Sequence, residues 1–307
     1  MKILVTGGAG FIGSHIVDAL VLQGHDLSII DDLSGGFEHN VNPAAKLYKM
    51  DICDPAVENL WKEQSFEVMY HLAAQMDVRK SVSDPVYDAH INVSGLLRLL
   101  EAGRKNGLKK VIFSSTGGAI YGEPDSVPQT ESHVNRPDSP YGITKLIGEH
   151  YLRFYGNTHG LQWVALRYAN VYGPRQNAHG EAGVVAIFTE RLLRDQQCFI
   201  NGDGLQTRDF VYVKDVVDAN MKALSYDKNG IFNVGTGIET NMLTLFRHLK
   251  ALTGSKQAEQ HAEAKPGEQK RSVIGTELIE QSLGWRRQFD LKVGLAETVG
   301  WFRSRMK

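Results

Sequence analysis

The feature that most constrains this chain is a glycine-spaced turn, Gly7-Gly8-Ala9-Gly10-Phe11-Ile12-Gly13, set between the β-branched run Ile3 to Val5 and a stretch with helical spacing. In that stretch Ile12, Ile16, Ala19 and Leu20 recur on one helical face and Gly24 closes it as a C-cap. Strand, glycine turn, helix and second strand form a unit that needs a parallel sheet with its crossovers packed on both faces. Further short β-branched runs continue the alternation: Leu27 to Ile30, Leu47 to Met50, Val68 to His71, Val111 to Ser114 and Trp163 to Arg167. The fold class expected is α/β, a Rossmann-like doubly wound parallel sheet with a smaller α/β substrate-binding domain. Its 307 residues exceed one usual core, so residues 1–168 are expected to hold the cofactor and 169–307 mainly the substrate. Segments near 210–238 are expected to return to the first domain, because Phe210 to Val213, Val216 to Leu224 and Ile231 to Val234 again read as strand, helix and strand. Loops at Tyr172 to Gly183 and Gln257 to Gln269 read as binding loops.

The turn predicts a bound dinucleotide. Gly7 allows the tight bend, Gly10 lets the backbone approach a pyrophosphate, and Gly13 lets the helix pack closely on the sheet. The helix start then presents unpaired N–H groups and a positive dipole end to the phosphates. The spacing is GxxGxxG, not the GxGxxG of ordinary dehydrogenases. Asp31, at the end of the second run, is placed to accept hydrogen bonds from an adenosine ribose, and Asp32 adds a second negative charge. No Arg or Lys follows before Lys46, so NAD is expected in preference to NADP. Asp51 and Ile52 would lie near the adenine, with an ordinary helix cap as the alternative for that pair.

Tyr141 and Lys145 stand four apart in a helix-like segment from Tyr141 to Tyr155 and so share a face. A tyrosine titrates near ~10, and an ammonium beside it, helped by an oxidised nicotinamide, favours the phenolate needed for a base near neutrality. Thr116 follows the run Val111 to Ser114, at the carboxyl edge where open α/β sheets bind ligands, and its hydroxyl is suited to hold a substrate oxygen.

With 34 basic and 35 acidic side chains, the chain carries no electrostatic footprint for nucleic acid or an acidic membrane. Two widely separated cysteines, Cys53 and Cys198, suggest no disulfide framework, and the absence of a signal-like or spanning apolar run points to the cytoplasm with no membrane partner. Eleven histidines never come closer than nine positions, so no helical metal pair is expected.

TGGAGFIG, Asp31, His71-Leu72-Ala73-Ala74, Ser114-Ser115-Thr116 with Tyr121-Gly122, SPYGITK and RYANVYGPR together resemble the extended short-chain dehydrogenase/reductase family. Within it the chain is similar to nucleotide-sugar epimerases of the UDP-galactose 4-epimerase type, from Gly7 to at least Ser272. The resemblance implies Thr116, Tyr141 and Lys145 as catalytic residues, with Tyr141 the base and Lys145 also on the nicotinamide ribose. It places Phe11, Ile12, Leu72, Ala73, Ala74, Tyr168 and the active-site asparagine Asn92 around NAD. A helix-interior Asn92 bonding its own backbone is the competing reading.

Related 4,6-dehydratases carry an Asp-Glu pair after the threonine, whereas this chain has Gly117-Gly118, which leaves space beside the sugar and argues for epimerisation at C4 of a UDP-hexose. A uronate-acting epimerase or decarboxylase, and a non-catalytic NAD sensor, are the rival readings. Asn170 is implied to bind the sugar diphosphate, and Arg208, between a glycine turn and an apolar strand, to bind phosphate with Arg271 assisting; a solvated surface group is the alternative. Gly183, Val184, Val185 and Cys198 to Ile200 would line the uridine pocket or pack in a core. Ser272 would leave room for an N-acetyl group or be a surface serine. The helix from Tyr141 to Tyr155 is apolar on more than one side, which suits a homodimer or a deeply buried monomer helix.

Overall fold

A computed structural model describes residues 1–178, 183–264 and 269–306, so part of each of the two predicted binding loops, 179–182 and 265–268, lies outside the described residues. Seven parallel strands form the central sheet: β1 (Lys2–Thr6), β2 (Asp26–Asp31), β3 (Lys46–Lys49), β4 (Val68–His71), β5 (Lys110–Thr116), β6 (Gln162–Tyr168) and the strand Gly230–Val234. Their spatial order is Gly230–Val234, β6, β5, β4, β1, β2, β3, which reverses direction between β1 and β4. That reversal opens a crevice at the carboxyl ends of those two strands.

Alternate residues of each strand feed opposite helical layers. Ile3, Val5, Tyr70, Ile112, Val164 and Leu166 join one core with helix α1 (Phe11–Leu22) and the Val213–Ser225 helix. Leu4, Met69, Val111, Phe113, Trp163 and Ala165 join the other, with α2 (Ala56–Gln64) and the helices Leu96–Lys105 and Pro140–His159. Burial on both faces is why these runs are almost wholly apolar. A third core, including Tyr172, Phe188, Tyr212, Phe246, Leu295 and Val299, lies in the C-terminal half.

The returning material divides. Gly230–Val234 pairs with β6 and extends the sheet, but Phe210–Tyr212 pairs with Asn170–Tyr172 in a separate two-stranded ribbon. β5 also runs farther than its apolar run: its pairing with β6 continues to Thr116↔Tyr168, so Thr116 ends the strand rather than following it. Propensity alone stops at Ser114; the ladder with β6 carries two more residues in.

The helix bearing Tyr141 and Lys145 spans Pro140–His159. Ser139 caps it, its hydroxyl accepting from Gly142 N at 3.2 Å, Pro140 sits at its first position, and Gly160 ends it with φ +68°. No helix among the described residues is long and apolar enough to cross a membrane.

Candidate active site

The glycine turn forms a cradle made of backbone. Gly7, at φ +71°, lies so close to the strand end opposite that a Cβ there would sit 2.7 Å from Ala73 N. A Cβ at Gly13 would fall 2.1 Å from the Gly7 carbonyl oxygen, which fixes how tightly α1 starts against the turn. Gly10 N donates to that same carbonyl at 3.2 Å, and Gly10, the N-cap of α1, supplies no side-chain cap bond. Asp31 is buried at the end of β2, with Oδ2 accepting from Ala9 N and Oδ1 from Leu33 N, each at 2.9 Å. Burial raises its pKa and the two N–H donors oppose that rise. Asp32 is exposed and bonds Ser34. A cradle closed to side chains, an uncapped helix start and a carboxylate at the next strand end fit a dinucleotide.

The flanking positions sort by burial. Leu72 and Ala73 donate their N–H groups to Thr6 O at 3.1 Å and, with Ala74, form the half-buried wall of the crevice. Asp51 is exposed and accepts from Cys53 N at 2.7 Å; it turns its own loop and does not cap α2, whose N-cap is Pro55. Ile52 is buried in the core. Tyr168 is at the carboxyl edge too, but its ring points into the core, where its hydroxyl meets Asn220.

Tyr141 and Lys145 reach the same edge from the Pro140–His159 helix. Lys145 is buried, donates to Ser114 O at 2.9 Å, and lies 5.0 Å from the Phe113 ring centroid and 5.9 Å from that of Tyr141. Burial pulls the Lys145 pKa down to about 8, with the Asp88 and Glu149 carboxylates opposing. Burial, and then the Asp88 charge, push the Tyr141 phenol well above its ordinary value. Desolvation is the largest effect on both groups, so a phenolate at Tyr141 needs positive charge beyond that of Lys145.

A polar network that sequence reasoning missed holds this pair. Asp88 is fully buried: Oδ2 accepts from the Thr144 hydroxyl at 2.7 Å, and Oδ1 from Gln75 Nε2 at 2.9 Å and Asn92 Nδ2 at 3.2 Å. Asn92 does not bond its own helix backbone through an ordinary turn. It sits in a π-helical stretch, His90–Gly95, and exchanges hydrogen bonds with the Gln75 backbone, each 2.9 Å. π-Bulges recur at functional sites because they turn one side chain out of register. Here the bulge fastens the loop after β4 to the helix bearing Tyr141. One turn beyond Lys145, buried Glu149 takes a bidentate pair from Arg167 at 2.9 and 2.6 Å and a hydrogen bond from Ser115 at 2.6 Å. The Arg167 guanidinium lies 4.9 Å from the Tyr121 ring centroid. The spacing Tyr141, Lys145, Glu149 was a visible signal, since a Glu at i+4 on a buried face requires a partner.

The residues expected on the substrate side are drawn from distant segments. Arg208 donates to Thr207 O at 2.8 Å, and Asp209 beside it is buried, with Thr236, Gly237 and Ile274 donating to its carboxylate. Asn170 N bonds Asp209 O at 2.9 Å, which keeps Asn170 and Arg208 in one neighbourhood. Arg271 is exposed and committed to Glu239 by a bidentate pair, 2.8 and 2.6 Å, whereas Ser272 is buried and so is not a surface serine. Val185 and Ile200 lie in the third core, with Gly183 buried and Val184 half-buried at the start of the Val184–Leu193 helix. Packing thus accounts for Val185 and Ile200. The open space expected beside the paired glycines is corrected at Gly117, where Ile274 fills it; Gly118 has, among the described residues, no neighbour nearer than 3.9 Å to a Cβ placed there.

A crevice at a strand-order reversal, a backbone cradle for a dinucleotide and a Tyr-Lys pair beside it define a nucleotide-dependent redox enzyme of the doubly wound α/β class. A profile of the NAD dependent epimerase/dehydratase family matches residues 3–235, and the chain belongs to that family. Among solved structures it is similar to a UDP-glucose 4-epimerase from Thermotoga maritima with UDP-glucose, at 47% identity, TM-score 0.98 and full coverage of both chains. It is also similar to a Thermus thermophilus UDP-glucose 4-epimerase in complex with NAD, at 43% identity, TM-score 0.94 and 99% coverage of each chain. A third is the UDP-N-acetylglucosamine 4-epimerase of Methanobrevibacter ruminantium, in complex with UDP-N-acetylmuramic acid, at 37% identity, TM-score 0.94 and 99% coverage of each chain.

Proposed function

We propose that this chain reversibly inverts C4 of a UDP-hexose, glucose to galactose, and admits N-acetylhexosamines, through a 4-keto sugar. The observation that carries the reading is a half-buried Tyr141 and a buried Lys145 brought by their helix to the carboxyl end of β5, where glycines follow Thr116 in place of an acid pair. Bound NAD supplies the hydride acceptor and donor. The chain's own residues do the rest. Tyr141 takes the proton from the C4 hydroxyl and returns it after the sugar has turned, while the Thr116 hydroxyl holds the same oxygen. Lys145, held by Ser114 O, keeps an ammonium beside the phenol and donates toward the cofactor's ribose. Arg208 holds the diphosphate, so the nucleotide stays fixed while the hexose rotates. Gly118 and Ser272, both without bulk, leave room at the sugar.

Residues 1–168 with Gly230–Val234 serve the cofactor, and most of 169–307 serve the substrate. A second copy packs along Ile143, Ile147, His150 and Phe154, an exposed to half-buried stripe at helical spacing on the Pro140–His159 helix; Ile143 is 45% and Phe154 50% exposed, which argues against a helix buried within one chain. Free thiols at Cys53 and Cys198 suit a reducing cytoplasm. The test is to incubate purified protein, without added NAD, with UDP-glucose and separately with UDP-N-acetylglucosamine, and to resolve products by NMR. The C4 epimers are expected. Formation of neither overturns the reading, and a 4-keto-6-deoxy product would make it a dehydratase.

A further inference from the structure

Ile274 is 1% exposed and joins parts of the chain that are far apart in sequence. Its own segment is fixed from both sides: Gln129 N donates to Val273 O and Gly275 N to Gln129 O, each at 2.8 Å. Ile274 N points at Asp209 Oδ2 from 3.4 Å. Its side chain lies where two glycines have none. A Cβ on Gly117 would stand 2.9 Å from Ile274 Cδ1 and 3.1 Å from Cγ2; one on Gly235 would stand 2.6 Å from Ile274 Cγ1 and 2.5 Å from Asp209 Oδ2. Gly117 follows Thr116 and Asp209 follows Arg208. Gly235 follows the Gly230–Val234 strand, and Ser272 is two residues before Ile274.

We propose that Ile274 is a positioning residue that sets the separation between the Thr116 end of β5 and the Arg208-Asp209 segment, and that Gly117 is glycine to admit Ile274 rather than the sugar. The proposal rests on the epimerase reading above. Cores have little free volume, so a methyl added at Gly117 must move one side or the other. If Ile274 yields, it carries Val273–Gly275 and presses on Asp209. If Gly117 yields, it carries Thr116. Either way the hydroxyl at the reacting carbon shifts relative to the group that anchors the diphosphate. The substrate is held at one end and reacts at the other, so this separation governs turnover more than binding.

The test compares wild type, Gly117→Ala, Ile274→Val and the double variant, using kcat and KM for UDP-glucose and UDP-N-acetylglucosamine and the thermal midpoint of each protein. Gly117→Ala is expected to lower kcat about tenfold or more with little change in KM, equally for both sugars. Ile274→Val removes Cδ1, the nearest atom, and should lose less by itself. In the double variant it should restore most of the lost kcat and give a non-additive thermal midpoint. Independent, additive losses in kcat and midpoint would overturn the proposal. So would a rise in KM selective for the N-acetyl sugar, which would put Gly117 against the substrate. If wild type fails to epimerise either sugar, the functional reading falls, and the coupling in thermal midpoint alone decides the Gly117-Ile274 contact.

Discussion

The two ends of this site, proposed to hold the cofactor and the sugar, are made differently. The cradle draws on Gly7 to Gly13 and one carboxylate, Asp31, and its closest contacts, Gly13 against Gly7 O and Gly7 against Ala73 N, are backbone on backbone, with the Ile29 side chain closing only on Gly8. The other end joins residues 116–129, 207–209, 235–239 and 269–275, and beside the backbone bonds of Gln129 with Val273 and Gly275, side chains take part in the joining: Ile274 in the gaps at Gly117 and Gly235, Asp209 under Thr236, Arg271 on Glu239. Backbone cannot vary with sequence, so the first end suits a ligand held constant. Side-chain joints can be exchanged one at a time, so the second suits a substrate that differs among relatives. Between them stands the Pro140–His159 helix, tied to the first end by Asp88 and Asn92 and to β5 by Glu149.

This contrast gives graded expectations. Glu149→Ala leaves the Arg167 guanidinium buried and unpaired, and should cost about 3–5 kcal/mol in a urea melt; a loss near zero would mean that Glu149 does not tie β5 and β6 to the helix. Asp209 is next. Burial raises its pKa to about 6, above the ordinary ~3.9 of an aspartate, so the folded state binds this proton more tightly than the unfolded one. Its contribution is therefore fully present below about pH 4 and lost as pH rises through 6, a change on the order of 2–3 kcal/mol. Urea melts of wild type and Asp209→Asn between pH 4 and 7 should show wild type losing ground to the variant up to pH 6 and level thereafter. A constant difference would remove Asp209 as a titrating joint of the sugar end.

Gly13→Ala tests the other end. It must displace the turn from α1, and about 1–3 kcal/mol of stability should go with the bound NAD, measured by melting and by cofactor content after gel filtration. Full NAD retention would show that the cradle tolerates side chains and that the two ends do not differ as described. Ser139→Ala should have the smallest effect, about 1 kcal/mol, because it removes only the cap of the helix between the ends. A loss several times larger would mean that the cap also positions Tyr141.

The cofactor end was legible because its parts are contiguous: strand, glycines and helix appear in order, and Asp31 comes one strand later. Tyr141 and Lys145 were legible for the same reason, one turn apart on a single helix. Asp88 was not, because nothing local distinguishes a fully buried acid from the exposed Asp84 four residues earlier; only the approach of Gln75 and Thr144 does. Gly117 was legible as a glycine and not as a contact, since its partner lies 157 positions away. Arg271 was expected to assist Arg208, and its bidentate pair with Glu239, 32 positions away, was not legible. The ends of strands were misjudged where pairing, not propensity, decides, as at Thr116.

The central claim is that C4 is inverted with its hydrogen kept inside the site. The direct measurement is to convert UDP-glucose deuterated at C4, in ordinary water, and to read the product by NMR. The account predicts the C4 epimer with deuterium retained at C4. Deuterium lost to solvent during inversion would contradict it.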